Sequence, residues 1–118
     1  KRINVIGSRI LVLGLTFKAN CPDLRNTRVV DIVRELESAH ARVDVHDPWA
    51  DAEEARQRLG IRTIEQPAPR TYDAIVLAVA HRDFLDLGDA GLRHYGREHC
   101  AVFDIKSLLP AGSVDGRL

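Results

Sequence analysis

Apolar and polar positions follow two alternating periods along the chain. Residues 9–15, Arg-Ile-Leu-Val-Leu-Gly-Leu, form a short, nearly continuous apolar run that ends beside a glycine. Such a run is expected of a parallel strand buried on both faces. Beyond a loop carrying Pro22 and Asp23, the residues Val29, Ile32, Val33 and Leu36 recur at helical spacing. An amphipathic helix is therefore predicted over residues 27–39, with Asn26 or Thr27 as N-cap and Asp31 in the first turn, where the helix dipole favours an anion. Residues 42–47 alternate and stop at Pro48, which predicts a second strand. Residues 51–59 are charged and alanine-containing and end at Gly60, as a second helix would.

Residues 61–64 make a short third strand, followed by a loop marked by Pro67 and Pro69. The strongest strand signal is residues 72–80, Tyr-Asp-Ala-Ile-Val-Leu-Ala-Val-Ala. A weak, glycine-interrupted helical region over 83–95 leads to a fifth strand at 101–105, and residues 110–118 form a tail or a short edge strand. Strands alternating with helices imply a parallel sheet joined by right-handed crossovers. The expected fold is α/β, a Rossmann-like three-layer sandwich with a five- or six-stranded, mainly parallel sheet of order 3-2-1-4-5. In that order the sheet reverses between the first and fourth strands, and their carboxyl ends flank the binding crevice. Residues 16–25 then stand on one side of the crevice and residues 81–84 on the other.

Composition narrows the function classes. At 118 residues and 45% hydrophobic content, the chain suffices for a single domain with its own core, without disulfide or metal staples. Basic and acidic residues balance at 17 each, which argues against a nucleic-acid partner. The longest apolar run is too short for a membrane span, and no signal-peptide pattern is present, so a cytoplasmic protein is expected. Cys21 and Cys100 lack the paired spacing of a zinc site, and the histidines show no ligand pattern, so no metal is expected. The chain opens at Lys1, contains no Met and stops at Leu118, as expected of a piece excised from a longer protein.

The candidate chemistry lies in the first loop. Lys18 and Arg25 stand close to the amino end of the first helix, whose free amides and dipole attract anions. Lys acts there as a point charge and Arg as a two-oxygen fork, which suits a phosphate or pyrophosphate. Gly14 is the only glycine between Ser8 and Gly60, so neither a G-x-G-x-x-G turn nor a P-loop is present. On spacing alone, solvated loop charges explain Lys18 and Arg25 equally well. His81 and Arg82 follow the strongest strand, where His81 either touches a ligand or bonds to a loop carbonyl. Asp47 ends the second strand, where a dinucleotide-binding domain keeps its ribose acid. Without a phosphate turn, a local capping role before Trp49 is the better expectation. Asp23 is expected to order the loop or orient Arg25, Trp49 to anchor packing, Cys21 to be incidental and Cys100 to lie in the core.

The motifs Leu13-Gly14-Leu15-Thr16-Phe17-Lys18 and Pro22-Asp23-Leu24-Arg25-Asn26-Thr27 resemble the C-terminal domain of the UDP-glucose/GDP-mannose dehydrogenase family. The likeness continues through Val45-His46-Asp47-Pro48-Trp49-Ala50, through residues 72–84, through Phe103-Asp104-Ile105-Lys106 and through Val114-Asp115-Gly116-Arg117-Leu118. The form Asn20-Cys21-Pro22-Asp23-Leu24-Arg25-Asn26-Thr27 is similar to the branch acting on UDP-N-acetylhexosamines (UDP-GlcNAc or UDP-GalNAc) in bacterial polysaccharide pathways. The resemblance implies a UDP-sugar-binding domain of a homodimeric, NAD-dependent 6-dehydrogenase. Such an enzyme oxidises the sugar C6 alcohol in two hydride transfers through a cysteine thioester formed elsewhere in its chain, so no catalytic residue is expected here. By the same resemblance Phe17, Lys18 and Lys106 bind the substrate and Arg25 faces NAD; His81 joins the substrate-binding candidates from its place at the crevice. Lys106 replaces an Arg of some relatives and loses its planar fork.

Two other readings stay in view. A free-standing nucleotide-binding or regulatory module would share the crevice but lack a catalytic partner. A phosphorelay receiver would share the wound sheet, but it needs acidic residues around its first strand, which here is bracketed by Arg9 and Lys18.

Overall fold

The computed structural model describes residues 6–105 and the backbone of Gly116–Arg117. The elements in chain order are β1 (Arg9–Leu13), α1 (Val29–Ser38), β2 (Arg42–His46), α2 (Ala52–Leu59), β3 (Tyr72–Leu77), α3 (Arg82–Leu85), α4 (Gly88–Arg93), β4 (Gly96–Asp104) and β5 (Gly116–Arg117). The strands pair in the order β2-β1-β3-β4-β5, and every pairing is parallel. β1 therefore lies between β2 and β3, and the winding reverses on either side of it.

Period-two geometry explains why the central strands are apolar at consecutive positions. Ile10 and Val12 of β1, Ala74 and Val76 of β3 and Ala101 of β4 share one core with Val29 and Val33 of α1 and Ala55 of α2. The intervening residues Leu11, Leu13, Ile75, Leu77 and Val102 share a second core with Phe84 and Leu92 from α3 and α4. Helices on both faces thus bury both residue sets, each large aliphatic side chain contributing about 1.5–3 kcal/mol relative to exposure. The result is the three-layer α/β sandwich expected from the sequence.

Several elements differ locally from expectation. The third strand shrinks to a single bridge, Thr63 beside Val45, with the Ile64 amide donating to the Val45 carbonyl at 2.8 Å. It keeps its place outside β2, but exposed Arg62 and the following Pro67 and Pro69 leave too short an extended stretch for a ladder. The N-cap position of α1 is Arg28, which makes no side-chain capping bond. The Thr27 hydroxyl instead donates to the Leu15 carbonyl at 2.6 Å and accepts from the Val29 amide at 3.3 Å. α2 begins as its sequence suggests, with Asp51 accepting from the Glu54 amide and Gly60 ending it in the left-handed conformation. The strand predicted over 72–80 stops at Leu77, because the Leu13 carbonyl draws in the amides of both Ala78 and Val79. β4 starts earlier than expected, at Gly96, and the weak helical region divides into α3 and α4. Among the described residues no helix is long and apolar enough to cross a membrane.

Candidate functional site

The carboxyl ends of β1, β2 and β3 converge, and each contributes one part of a connected site. β1 ends at Leu13, and Gly14 turns the chain with φ +102°. A side chain there would be strained by the backbone, and a Cβ would lie 2.6 Å from the Val79 Cβ and 2.7 Å from its amide nitrogen. Glycine is needed for both reasons: the loop leaves β1 against the end of β3 with no room between them.

The loop then docks on Asp47, which follows β2. Oδ2 of Asp47 accepts from the amides of Leu15 at 2.6 Å and Thr16 at 3.0 Å, while Oδ1 accepts from the Trp49 amide at 2.8 Å. His81, which follows β3, completes the arrangement. Its Nε2 lies 2.9 Å from Asp47 Oδ2 and 3.1 Å from Thr16 Oγ1, and its Nδ1 accepts from the Asn20 amide at 2.9 Å. An amide N–H pointing at Nδ1 puts the ring proton on Nε2. The Thr16 hydroxyl donates to the Lys18 carbonyl at 3.1 Å, so its oxygen is free to accept from His81. Every donor in this buried set has an acceptor, as buried polar groups require.

Burial of Asp47 works to raise its pKa, but the hydrogen bonds from His81 and from the Leu15 and Thr16 amides outweigh it. The carboxyl therefore titrates below the usual aspartate range.

Around this centre the loop presents its charged and aromatic side chains. The Phe17 amide donates to the Asp23 carbonyl at 2.7 Å, which closes the loop on itself, and Asn20 sits in the left-handed region at φ +57°. Phe17 is 48% exposed, beside a mainly apolar cleft of about 160 Å³ whose walls include Val29, Ile32, Val79 and Ile105. Lys18 is exposed. Arg25 is also exposed, and its Nε and Nη2 donate to the two carboxylate oxygens of Asp23 at 3.0 and 3.2 Å. That pairing lowers the Asp23 pKa and raises that of Arg25. Beyond His81, the Trp49 ring stacks on the imidazole at a centroid distance of 5.8 Å, and the Arg82 guanidinium lies 4.9 Å over the Trp49 ring. The Trp49 indole N–H donates to Asp83 at 2.7 Å, tying α3 to the segment after β2, and the Arg82 amide donates to Asn20 Oδ1 at 2.8 Å, tying the amino end of α3 to the loop.

The structure thus brings Phe17, Lys18 and Arg25 together on one loop and His81 beneath it. His81 departs from its expected role at a ligand: its ring is 0% exposed and both nitrogens are bonded within the protein. It faces the loop, because the loop folds over the end of β3. Lys106 lies outside the described residues. Asp23 orients Arg25 as expected, and Cys100 is buried. Sequence reasoning gave Asp47 only the bond to Trp49 and missed its larger part as acceptor for the loop. Thr16 and Asn20 were not singled out at all. The one available signal was the position of Asp47 and His81 just past the two strands that flank β1.

At the opposite end of the sheet, a concavity of about 220 Å³ includes Arg70, Arg93, His94 and Arg97. Arg93 and Arg97 are paired with Asp89 and Asp73.

Known proteins place this geometry in context. The model of the UDP-glucose/GDP-mannose dehydrogenase family, UDP binding domain, matches residues 11–111. The chain is 47% identical over 118 residues to a UDP-N-acetyl-D-glucosamine 6-dehydrogenase of Salmonella typhi and 49% identical to one of Pseudomonas aeruginosa. Each alignment covers 100% of this chain and 28% of the relative, so the chain spans under a third of their length. Among solved structures, a UDP-glucose dehydrogenase from Pyrobaculum islandicum superposes with a TM-score of 0.69 at 30% identity, covering 95% of this chain and 25% of that one. With the wound sheet, the glycine-turned loop and a match across most of its length, the chain belongs to the UDP-glucose/GDP-mannose dehydrogenase family and corresponds to its UDP-binding domain.

Proposed function

We propose that this chain is the C-terminal UDP-sugar-binding domain of a cytoplasmic, homodimeric, NAD-dependent UDP-N-acetylhexosamine 6-dehydrogenase. The observation that carries the reading is the loop of residues 14–27. It is anchored from below by Asp47 and His81 and presents Phe17, Lys18 and Arg25 outward at the switch point of a parallel sheet. The two relatives named as UDP-N-acetyl-D-glucosamine 6-dehydrogenases, matched over the whole chain, support the substrate class.

In this reading the domain binds and positions; the reacting cysteine belongs to another part of the longer protein. Phe17 offers an exposed ring beside an apolar cleft, suited to the flat face of a sugar or base. Lys18 supplies a point charge to a pyrophosphate, and Lys106 adds a second cation to the substrate side. The family resemblance assigns Arg25 to the NAD side, and its guanidinium is held at the exposed rim by Asp23. When bound, NAD accepts the hydride from C6 of the sugar.

Kinetics of the longer enzyme separate these roles. Lys18→Ala is expected to raise KM for the UDP-sugar about tenfold with KM for NAD little changed, as for loss of one charge-assisted contact. Arg25→Ala is expected to act on the NAD side. Unchanged UDP-sugar kinetics in Lys18→Ala, or unchanged NAD kinetics in Arg25→Ala, would overturn the respective assignment.

A further inference from the structure

The Asp47–His81 pair is buried and bonded within the protein, yet it makes four hydrogen bonds to the loop. Asp47 fixes the amides of Leu15 and Thr16. His81 fixes the Thr16 hydroxyl through Nε2 and the Asn20 amide through Nδ1. Phe17 and Lys18 lie between those anchored points. They are exposed, but the backbone carrying them is held at Thr16 before them, at Asn20 after them and at the Lys18 carbonyl itself.

We propose that Asp47 and His81 are positioning residues which act through Thr16 and Asn20 to hold Phe17 and Lys18 in their ligand-ready arrangement. The inference rests on the reading of this loop as the UDP-sugar site. It adds a cause to that reading: the affinity of the exposed residues is set by a pair beneath them.

The chemistry of the pair suits the task. A carboxylate accepts two amides and an imidazole N–H with one oxygen while its other oxygen takes the Trp49 amide. A single imidazole tautomer then links the ends of β2 and β3 to two points of the loop. The left-handed backbone at Asn20 turns its amide inward onto His81, while its side-chain oxygen accepts from the Arg82 amide. Because the loop is pre-ordered, substrate binding need not supply the ordering entropy. Loss of the anchor is therefore expected in KM and not in the chemical step.

The test uses the full-length enzyme with Thr16→Val, Thr16→Ser, His81→Gln and Lys18→Ala. Thr16→Val keeps the side-chain shape and removes the hydroxyl that joins His81 to the Lys18 carbonyl. It is expected to raise KM for the UDP-sugar about tenfold with kcat changed less than about twofold. Thr16→Ser, which restores the hydroxyl, should restore KM. In Thr16→Val and His81→Gln, amide hydrogen exchange should accelerate in residues 15–20 while β1 and β3 stay protected.

Unchanged KM and unchanged local exchange in a folded Thr16→Val, alongside a raised KM in Lys18→Ala, would overturn the positioning role and leave the site intact. Unchanged KM in Lys18→Ala as well would overturn the site reading itself. If His81→Gln does not fold, the Thr16 pair alone decides.

Discussion

At the residue scale, Gly14 shows how one position can carry the geometry of a whole site. It combines a backbone conformation that other residues avoid with contact against Val79 too close for any Cβ. Gly14→Ala is expected to destabilise the chain by about 3 kcal/mol, combining backbone strain with overpacking. Urea unfolding measures it directly, and a loss of well under about 1 kcal/mol would show that the contact relaxes without strain. Glycine was visible in the sequence as the end of the first strand, but its reason was not: Val79 lies far along the chain and meets Gly14 only through the pairing of β1 with β3. Asp47 was legible in the same partial way. Its bond to the Trp49 amide is local and follows from spacing. Its bonds to Leu15, Thr16 and His81 join positions more than thirty residues apart, and only the assembled sheet brings them together.

At the scale of elements, the strands and helices that bury a continuous face were legible because period alone determines them. β1, β3, α1 and α2 lie close to their expected positions. Elements decided by competition between local groups were not. The Thr27 hydroxyl is a good cap by type, yet it donates to the Leu15 carbonyl and so secures the two ends of the site loop to each other. The short third strand lost its ladder to the exposed arginine and prolines around it, and the glycine-interrupted helix divided in two.

The site loop also has a pH dependence that belongs to it as a unit. The Asp47 pKa is lowered in the folded state below its ordinary value of 3.8. The native loop therefore binds fewer protons than the unfolded chain between the two pKa values, and the stabilisation is present above the unfolded value. It is lost as pH falls through the folded value. Amide exchange at Leu15 and Thr16, measured as an opening equilibrium, should show these amides released from Asp47 as pH falls below about 4. Leu15 and Thr16 amides whose protection is unchanged by such acidification would mean that Asp47 does not hold the loop.

For the molecule as a whole, the α/β architecture and the end of the sheet on which the loop of residues 14–27 lies followed from strand and helix alternation. What pattern alone left open was whether the charges of the first loop were solvent-facing ornaments or a binding surface. The structure sharpens that choice by showing a loop that is anchored from beneath and exposed above. In the proposed enzyme, this domain supplies one wall of the active-site cleft. The chain alone is expected to bind UDP weakly and to reduce no NAD.

The most direct test of this account is titration of the chain with UDP, followed by amide chemical shifts. The account predicts saturable shifts concentrated in residues 16–27 and 81–84, their midpoint moved together to about tenfold higher UDP by Lys18→Ala. Saturable shifts confined to other regions, such as the arginine-lined concavity at the amino end of the sheet, would contradict it.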